Sequence, residues 1–464
     1  LTIATACARS PVEIHSKDFV MPIPAAAARP SLDRAAILDR FRRVRARSRQ
    51  LFDLITPDAY YSRPIALRNP IVFYEGHLAS FSVNTLIKKA LEEPGIDSDL
   101  EVLFARGIDP DHELPEASLR AQWPSRERVL AYVEEADRRL EDVLAGAMLD
   151  QPGHPLLDRA EAVFAILEHE EMHQETLQYI WHRLPFDQKH RPAGLSLVTN
   201  GPVRVRDRVR IPAGTATLGA RRGDLAFGWD NEFPELRVDV PAFEVDRHDV
   251  TNAEYLDFIE DGGYENEALW TPDACAWRSH ERVNHPLFWE RHDGQWFWRG
   301  MFDLVPLPST WPVYVSHAEA EAFARWRGDR LITEAEYHRA AFATPGGEEP
   351  LPWGSDPPDP TRGNFGAVHW DPVPVGTFPA GASAFGVHDL VGNGWEWTSS
   401  PFAPFPGFVP MPSYPEYSAD FFDGAHFVMK GASPATPAAH VRRSFRNWFR
   451  PHYPYVYATF RCAR

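Results

Sequence analysis

Cysteine is nearly missing from this sequence. Three occur in 464 residues, Cys7, Cys275 and Cys462, too scattered for a disulfide framework or a CxxC pair. That usage suits a reducing compartment, and the cytoplasm is the expected location. Long apolar runs are also missing. None approaches the roughly 20 residues that a membrane span needs, so no membrane partner is expected. The opening 30 residues have only a short apolar stretch with no basic segment before it, unlike a secretory leader. Basic charge is in short supply: 48 Lys and Arg face 65 Asp and Glu, a formal charge of −17. That balance argues against a nucleic-acid or anionic-membrane partner. No internal repeat is visible.

What is present falls into two halves. Residues 1–30 read as a loose tail. Residues 31–195 carry four long stretches with apolar residues at helical spacing. The first follows Ser31 as N-cap, the second includes "HLASFSVNTLIKKALEE", the third is "SRERVLAYVEEADRRLEDVLAGAML", and the fourth runs from His154 to a stop at Pro185. Four amphipathic helices predict a bundle, whose interior is a common metal site. Residues 196–208 read as a linker. From 209 to 464 Trp, Pro, Gly and short apolar runs dominate, with "NAEYLDFIEDGG" and "SHAEAEAFARWRG" as the clear helices. An irregular α+β domain with functional loops is expected there.

The chemistry in the first half is carried by histidine. His169 and His173 in "LEHEEMHQETLQYIWHRLP" are four apart, so both imidazoles leave one helix face. A third donor is needed, and His77 in "NPIVFYEGHLASF", read as the start of the second helix, sits among apolar and small residues where a lone imidazole needs a partner. Three neutral imidazoles leave coordination positions open, which suits catalysis rather than structure. Imidazole alone does not choose among Zn, Fe, Cu and Ni. Glu170, Glu171 and Glu175 read either as groups that orient the imidazoles or as solvated helix charges.

These motifs resemble a known pairing of domains. His77 with H169xxxH173xE175 is similar to the metal motif of DinB-type four-helix bundles. "IPAGTATLGA", "FEVDRHDVTNAEYLDFIEDGGY", "FGVHDLVGNGWEWTSS" and "RRSFRNWFRPHYPYVYATFRCAR" resemble the formylglycine-generating-enzyme-like domain, a C-type-lectin-related fold. A bundle and such a domain in this order resemble the sulfoxide synthases of the ergothioneine pathway and their ovothiol and selenoneine relatives. The resemblance implies a non-haem iron oxygenase, with Fe(II) on His77, His169 and His173 and O2 as co-substrate. It implies C–S or C–Se bond formation at the imidazole of histidine or hercynine, with oxidation of the chalcogen. It marks Tyr414, in "SSPFAPFPGFVPMPSYPEYSADFF", as the catalytic proton donor. It marks Asn447 and Trp448 as contacts to the histidine-derived substrate; a trimethylammonium group fits an aromatic face through cation–π attraction.

Two departures from the family pattern bear on substrate choice. Where relatives that take γ-glutamylcysteine have an Asp and an Arg, this chain has Phe449 and Tyr453, so a zwitterionic peptide donor loses both partners. Met172 stands where some relatives place a Gln against the imidazole. Arg446 and Arg450 remain for a carboxylate. The expected donor is therefore a selenosugar ahead of cysteine, and either ahead of γ-glutamylcysteine. Asp230, Asn231, Asn393 and Trp395 lie in motifs that read as structural, binding turns or a Ca²⁺ ion. The competing readings are a zinc-dependent DinB-type thiol transferase, a formylglycine-generating enzyme without its usual cysteine pair, and a lectin-like binding module.

Overall fold

Apolar residues on α1 (Arg34–Phe52) recur at Ile37, Phe41, Val44 and Leu51, a stripe that turns inward. The computed structural model describes residues 32–105, 123–202 and 206–464; the tail and the Ser31 cap lie outside them. Pro70 opens α2 (Ile71–Ser82), which is buried almost throughout. The same helix runs on as a wider-wound stretch, Val83–Ala90, where Leu91 N–H reaches back five residues to the Leu86 carbonyl. A short helix α3 (Ser98–Leu103) is capped by Asp97, whose side chain accepts from Asp99 N and Leu100 N. Ser125 caps α4 (Arg126–Gly146). Helix α5 (Glu161–Arg183) starts later than its apolar pattern suggests. Arg159 and Ala160 take left-handed backbone angles, which breaks the run from His154. Helices α1 and α2 each pack on both α4 and α5, so the bundle closes around α2 and α5.

The second half is built from short pieces. Strands β1 (Arg208–Ile211), β4 (Phe243–Asp246), β15 (Cys462–Ala463) and β8 (Arg330–Leu331) form one sheet in the order β1-β4-β15-β8. The hairpin of β2 (Gly214–Leu218) and β3 (Leu236–Val240) packs nearby in the same core. A meander of β5 (Trp289–His292), β6 (Gln295–Arg299) and β7 (Leu304–Pro306) makes another sheet. A further sheet, which reaches the bundle through Trp395 and Glu175, has the order β13-β12-β11-β14, from β11 (Gly394–Pro401), β12 (Phe427–Ala432), β13 (Asn447–Phe449) and β14 (Ala458–Thr459). Strands β9 (Ala343–Thr344) and β10 (Gly347–Glu348) pair alone.

Helices in this half are fixed by their first residues. Thr251/Glu254, Ser316/Glu319 and Thr333/Glu336 form reciprocal capping boxes on α6 (Asn252–Glu260), α8 (His317–Trp326) and α9 (Glu334–Phe342). Helix α7 (Pro272–Glu281) starts at Thr271-Pro272, and the single turn α10 (Glu416–Ala419) follows Pro415. The two expected helices are α6 and α8; α7 and α9 are additional.

Residues 34–464 form one compact unit, and charge closes the junction within it. Arg442 Nη1 and Nη2 each donate to Glu168 at 2.9 Å, and Arg442 also holds Glu232. Glu171 takes a two-point bond from Arg40 and lies 3.3 Å from His440 Nε2. Glu175 accepts from Trp395 Nε1 (2.6 Å), Ser433 Oγ (2.7 Å) and Thr436 Oγ1 (2.8 Å). Glu170 turns the other way, to Arg45 and Ser48 inside the bundle. None of these acids is a solvated helix charge. Glu168, Glu170, Glu171 and Glu232 are buried and Glu175 is half-buried, and all are bonded to partners other than the three imidazoles of His77, His169 and His173.

Candidate metal centre

Helix α2 presents Phe73, His77 and Phe81 at i, i+4 and i+8, one stripe on one face. His77 therefore lies well inside the helix rather than at its start. Its Nδ1–H donates to the Phe104 carbonyl at 2.9 Å. A carbonyl only accepts, so this bond fixes the tautomer and leaves Nε2 with its lone pair. Gly76 makes the contact possible: a Cβ there would fall 2.4 Å from the Phe104 ring.

Helix α5 supplies His169 and His173 opposite. The ring centroid of His77 lies 5.1 Å from that of His169 and 4.9 Å from that of His173, and the α5 pair are 4.5 Å apart. One ring nitrogen from each of the three falls within 4.8 Å of the others. His77 and His169 are buried, and His173 is half-buried. The Nδ1 atoms of His169 and His173 are buried with no hydrogen-bond partner among the described residues. Two orphaned imidazole nitrogens beside a third with a fixed tautomer are a costly arrangement unless something binds there. Burial holds His77 down to about 4 and, as the leading cause, keeps His169 and His173 well below the usual imidazole range. All three are thus neutral at pH 7, the form that ligates a metal. This donor set fits a first-row divalent ion with positions left open. Among the described residues the triad is the one cluster of His, Cys, Asp or Glu with this spacing.

Aromatic rings wall the triad. Phe81 stacks on His169 at 3.5 Å and Phe73 on His77 at 4.8 Å. From the second half comes Tyr414, whose ring lies 5.4 Å from Phe81 and 6.3 Å from His169. The preceding residue pins its loop to the metal helix: Ser413 donates through both N–H and Oγ to Glu161, the first residue of α5. Tyr417 follows at 5.8 Å from Tyr414 and donates to Met172 Sδ at 3.3 Å. Trp448 meets Tyr417 edge-on at 5.3 Å, and its indole is stacked on Phe402 at 4.1 Å. Asn447 Oδ1 accepts from Trp448 N–H at 2.9 Å, which shapes the chain at the start of β13.

The other expected contacts divide. Phe449 and Tyr453 stack on each other at 4.9 Å. Arg446 does not remain for a ligand carboxylate. It is buried, forms a two-point pair with Glu334 and donates to the Ala403 carbonyl. Arg450 is exposed and reaches Asp423 at 3.3 Å. Asp230 and Asn231 bind the turn at Ser418, and Asn393 Oδ1 accepts from Val373 N–H. Trp395 bonds Glu175 instead. Sequence reasoning missed Arg68. It enters from the loop before α2, donates to Tyr453 Oη at 2.8 Å and lies over the Tyr453 and Phe449 rings at 5.2 and 5.9 Å. Arg68 thus brings a guanidinium from the bundle to the rings of Tyr453 and Phe449, and no local spacing signals that.

Residues 40–177 match the DinB superfamily, and residues 196–464 match the sulfatase-modifying factor enzyme 1-like domain. A Mycolicibacterium smegmatis protein named hercynine oxygenase is 38% identical over 62% of this chain and 67% of its own length. The chain belongs to the ergothioneine-pathway sulfoxide synthase family. Another member of this family, the Mycobacterium tuberculosis hercynine oxygenase, is 43% identical over 53% of this chain, and the match spans 58% of that relative's length. Ergothioneine biosynthesis protein 1 of Neurospora crassa is 28% identical over 89% of this chain and 55% of its own length. The triad of this sulfoxide synthase family member thus sits where its bundle meets its sulfatase-modifying-factor-like domain.

Proposed function

We propose that this chain is a non-haem iron(II) oxygenase that uses O2 to join a chalcogen donor to the imidazole of hercynine and oxidises the chalcogen. The observation that carries the reading is the triad itself: three neutral imidazoles, two with orphaned nitrogens, next to a tyrosine from the other domain. The names of the mycobacterial and fungal relatives support the substrate and pathway. Ferrous iron on His77, His169 and His173 supplies one-electron chemistry with O2 and open positions for ligands.

The chain's own residues do the rest. Phe73 and Phe81 cover the imidazoles and keep bulk water off them. Trp448 receives the trimethylammonium group on an aromatic face, and Asn447 sets the backbone that aims it. Tyr414 holds a phenolic proton beside the site and delivers it during oxygen activation. On the donor side, Phe449 and Tyr453 offer rings and Arg68 a cation. An ammonium group finds no carboxylate among them, which disfavours γ-glutamylcysteine. A sugar-borne selenium donor suits ring faces with one guanidinium to bond its hydroxyls, and cysteine comes next. The protein is proposed to work in the cytoplasm on small molecules.

The test loads the protein with Fe(II) without air, then adds O2, hercynine and one donor at a time. Mass spectrometry should find a C–Se or C–S product fastest with the selenosugar. Turnover of γ-glutamylcysteine alone would sink the donor reading. Thiol transfer by the zinc-loaded protein, with no O2-dependent product from the iron form, would sink the oxygenase.

A further inference from the structure

Oxidisable rings lead outward from the triad. Tyr414 lies 6.3 Å from His169, Tyr417 is 5.8 Å further, and Trp448 another 5.3 Å, centroid to centroid. Trp229 lies nearly flat on Tyr417 at 4.0 Å and adds π density to that station. Trp448 is half-buried, so the line that starts at a covered centre ends where solvent reaches. Phe81 and Phe402 pack among these rings, but a benzene ring resists one-electron oxidation, whereas phenol and indole yield to it. The line to solvent therefore has three stations, Tyr414, Tyr417 and Trp448, while the buried indole of Trp229 is a side branch on Tyr417 that does not reach solvent.

We infer that Tyr414, Tyr417 and Trp448 form an electron relay that drains oxidising equivalents from the metal centre when hercynine is absent. This rests on the iron reading above. Each step moves one electron inward between neighbouring rings: Tyr417 re-reduces Tyr414, and the indole of Trp448 re-reduces Tyr417. A small thiol in solution re-reduces Trp448, and two thiyl radicals pair as a disulfide; the protons the thiols release to solvent match those taken up as O2 becomes water. Over a full cycle O2 and four thiols become two waters and two disulfides, with the metal unchanged. Without thiol, the Trp448 radical takes up oxygen and records the passage.

Hercynine closes the relay by charge. Its trimethylammonium on the Trp448 face puts a positive charge against the indole, which makes removal of an electron harder. Equivalents then remain at the centre for the bond-forming reaction. Without hercynine the exit opens, and the histidines are spared.

The test exposes Fe(II)-loaded protein to O2 without substrate or thiol and maps oxidised residues by peptide mass spectrometry. Iron occupancy of the triad is checked by the nitrosyl spectrum. Wild-type protein should oxidise mainly at Trp448, and hercynine should suppress this at least fivefold. Tyr417→Phe keeps a ring in place but cannot be oxidised. In that variant Trp448 oxidation should fall at least fivefold, with damage to Tyr414 or the histidines rising. Zinc-loaded protein should show none. Equal Trp448 oxidation in Tyr417→Phe, or in the zinc form, would mean a diffusible oxidant and overturn the relay alone. Failure of iron to bind the triad would overturn the iron reading and the relay together.

Discussion

On the bundle side, the site is made from helix faces: Phe73, His77 and Phe81 on α2, and His169 and His173 on α5. On the other side no long helix contributes. Tyr414 comes from a Pro-rich loop, Tyr417 from a single turn, and Trp448 from a three-residue strand. Helix spacing is rigid, so the bundle can hold three nitrogens within 4.8 Å. Loops are held only by local bonds such as Ser413 to Glu161, and they can vary without disturbing the helices. The difference teaches a division of labour, in which the regular half sets the metal and the irregular half sets what happens beside it.

The sharpest way to break that division is on α5. His173→Ala should lower ferrous affinity by more than ~100-fold, beyond the 10–100-fold typical of supporting residues, and abolish turnover. The far-UV spectrum should stay the same, because the helix does not depend on this side chain. Iron content after gel filtration measures it. Retained iron would mean that the ion sits elsewhere.

The next effect falls on the junction. Arg442→Met strands Glu168 and Glu232, both buried, and should cost about 3–5 kcal/mol in urea unfolding. Iron affinity should change far less, since Glu168 points away from the triad to the second half. A change below about 1 kcal/mol would mean that the two halves hold together without this network.

These two sites also show how far the sequence could be read. The His169–His173 pair was visible because a helix repeats every 3.6 residues, and His77 because an imidazole among apolar neighbours needs a partner. The Phe104 carbonyl that orients His77 was not visible. It is 27 residues away, and nothing in local spacing encodes such a contact. The apolar pattern puts the start of α5 too early because it runs through Arg159 and Ala160, where the backbone turns left-handed. In the second half, α6 and α8 were legible from their stripes. Helices α7 and α9 were not, although Thr333 with Glu336 carried a capping box that reads from sequence. Arg446 reads as available from the sequence because a charge looks free until its partner is known; Glu334 lies 112 residues away.

A smaller change is expected at the loop. Tyr414→Phe keeps the ring against Phe81 and His169 but removes the acid. Loss of a positioned general acid is worth about 10²-fold at the low end, so product formation should drop by about that factor while O2 uptake falls less. The balance should shift to oxidised donor, measured as product per O2 consumed. An unchanged ratio would remove Tyr414 from the reaction and leave it as packing.

The smallest effect belongs to Trp448. Phe402 covers one face of the indole at 4.1 Å, so a cation can meet only the opposite face. A single desolvated cation–π contact is worth about 0.5–2 kcal/mol, and phenylalanine retains part of it. Trp448→Phe should therefore raise the KM for hercynine about 3- to 10-fold and leave kcat nearly unchanged, the signature of binding felt equally in ground and transition states. Histidine, which lacks the trimethylammonium, should lose little between wild type and variant. An equal penalty for both substrates would mean that Trp448 acts by shaping β13, and that the loop side discriminates by form rather than by charge.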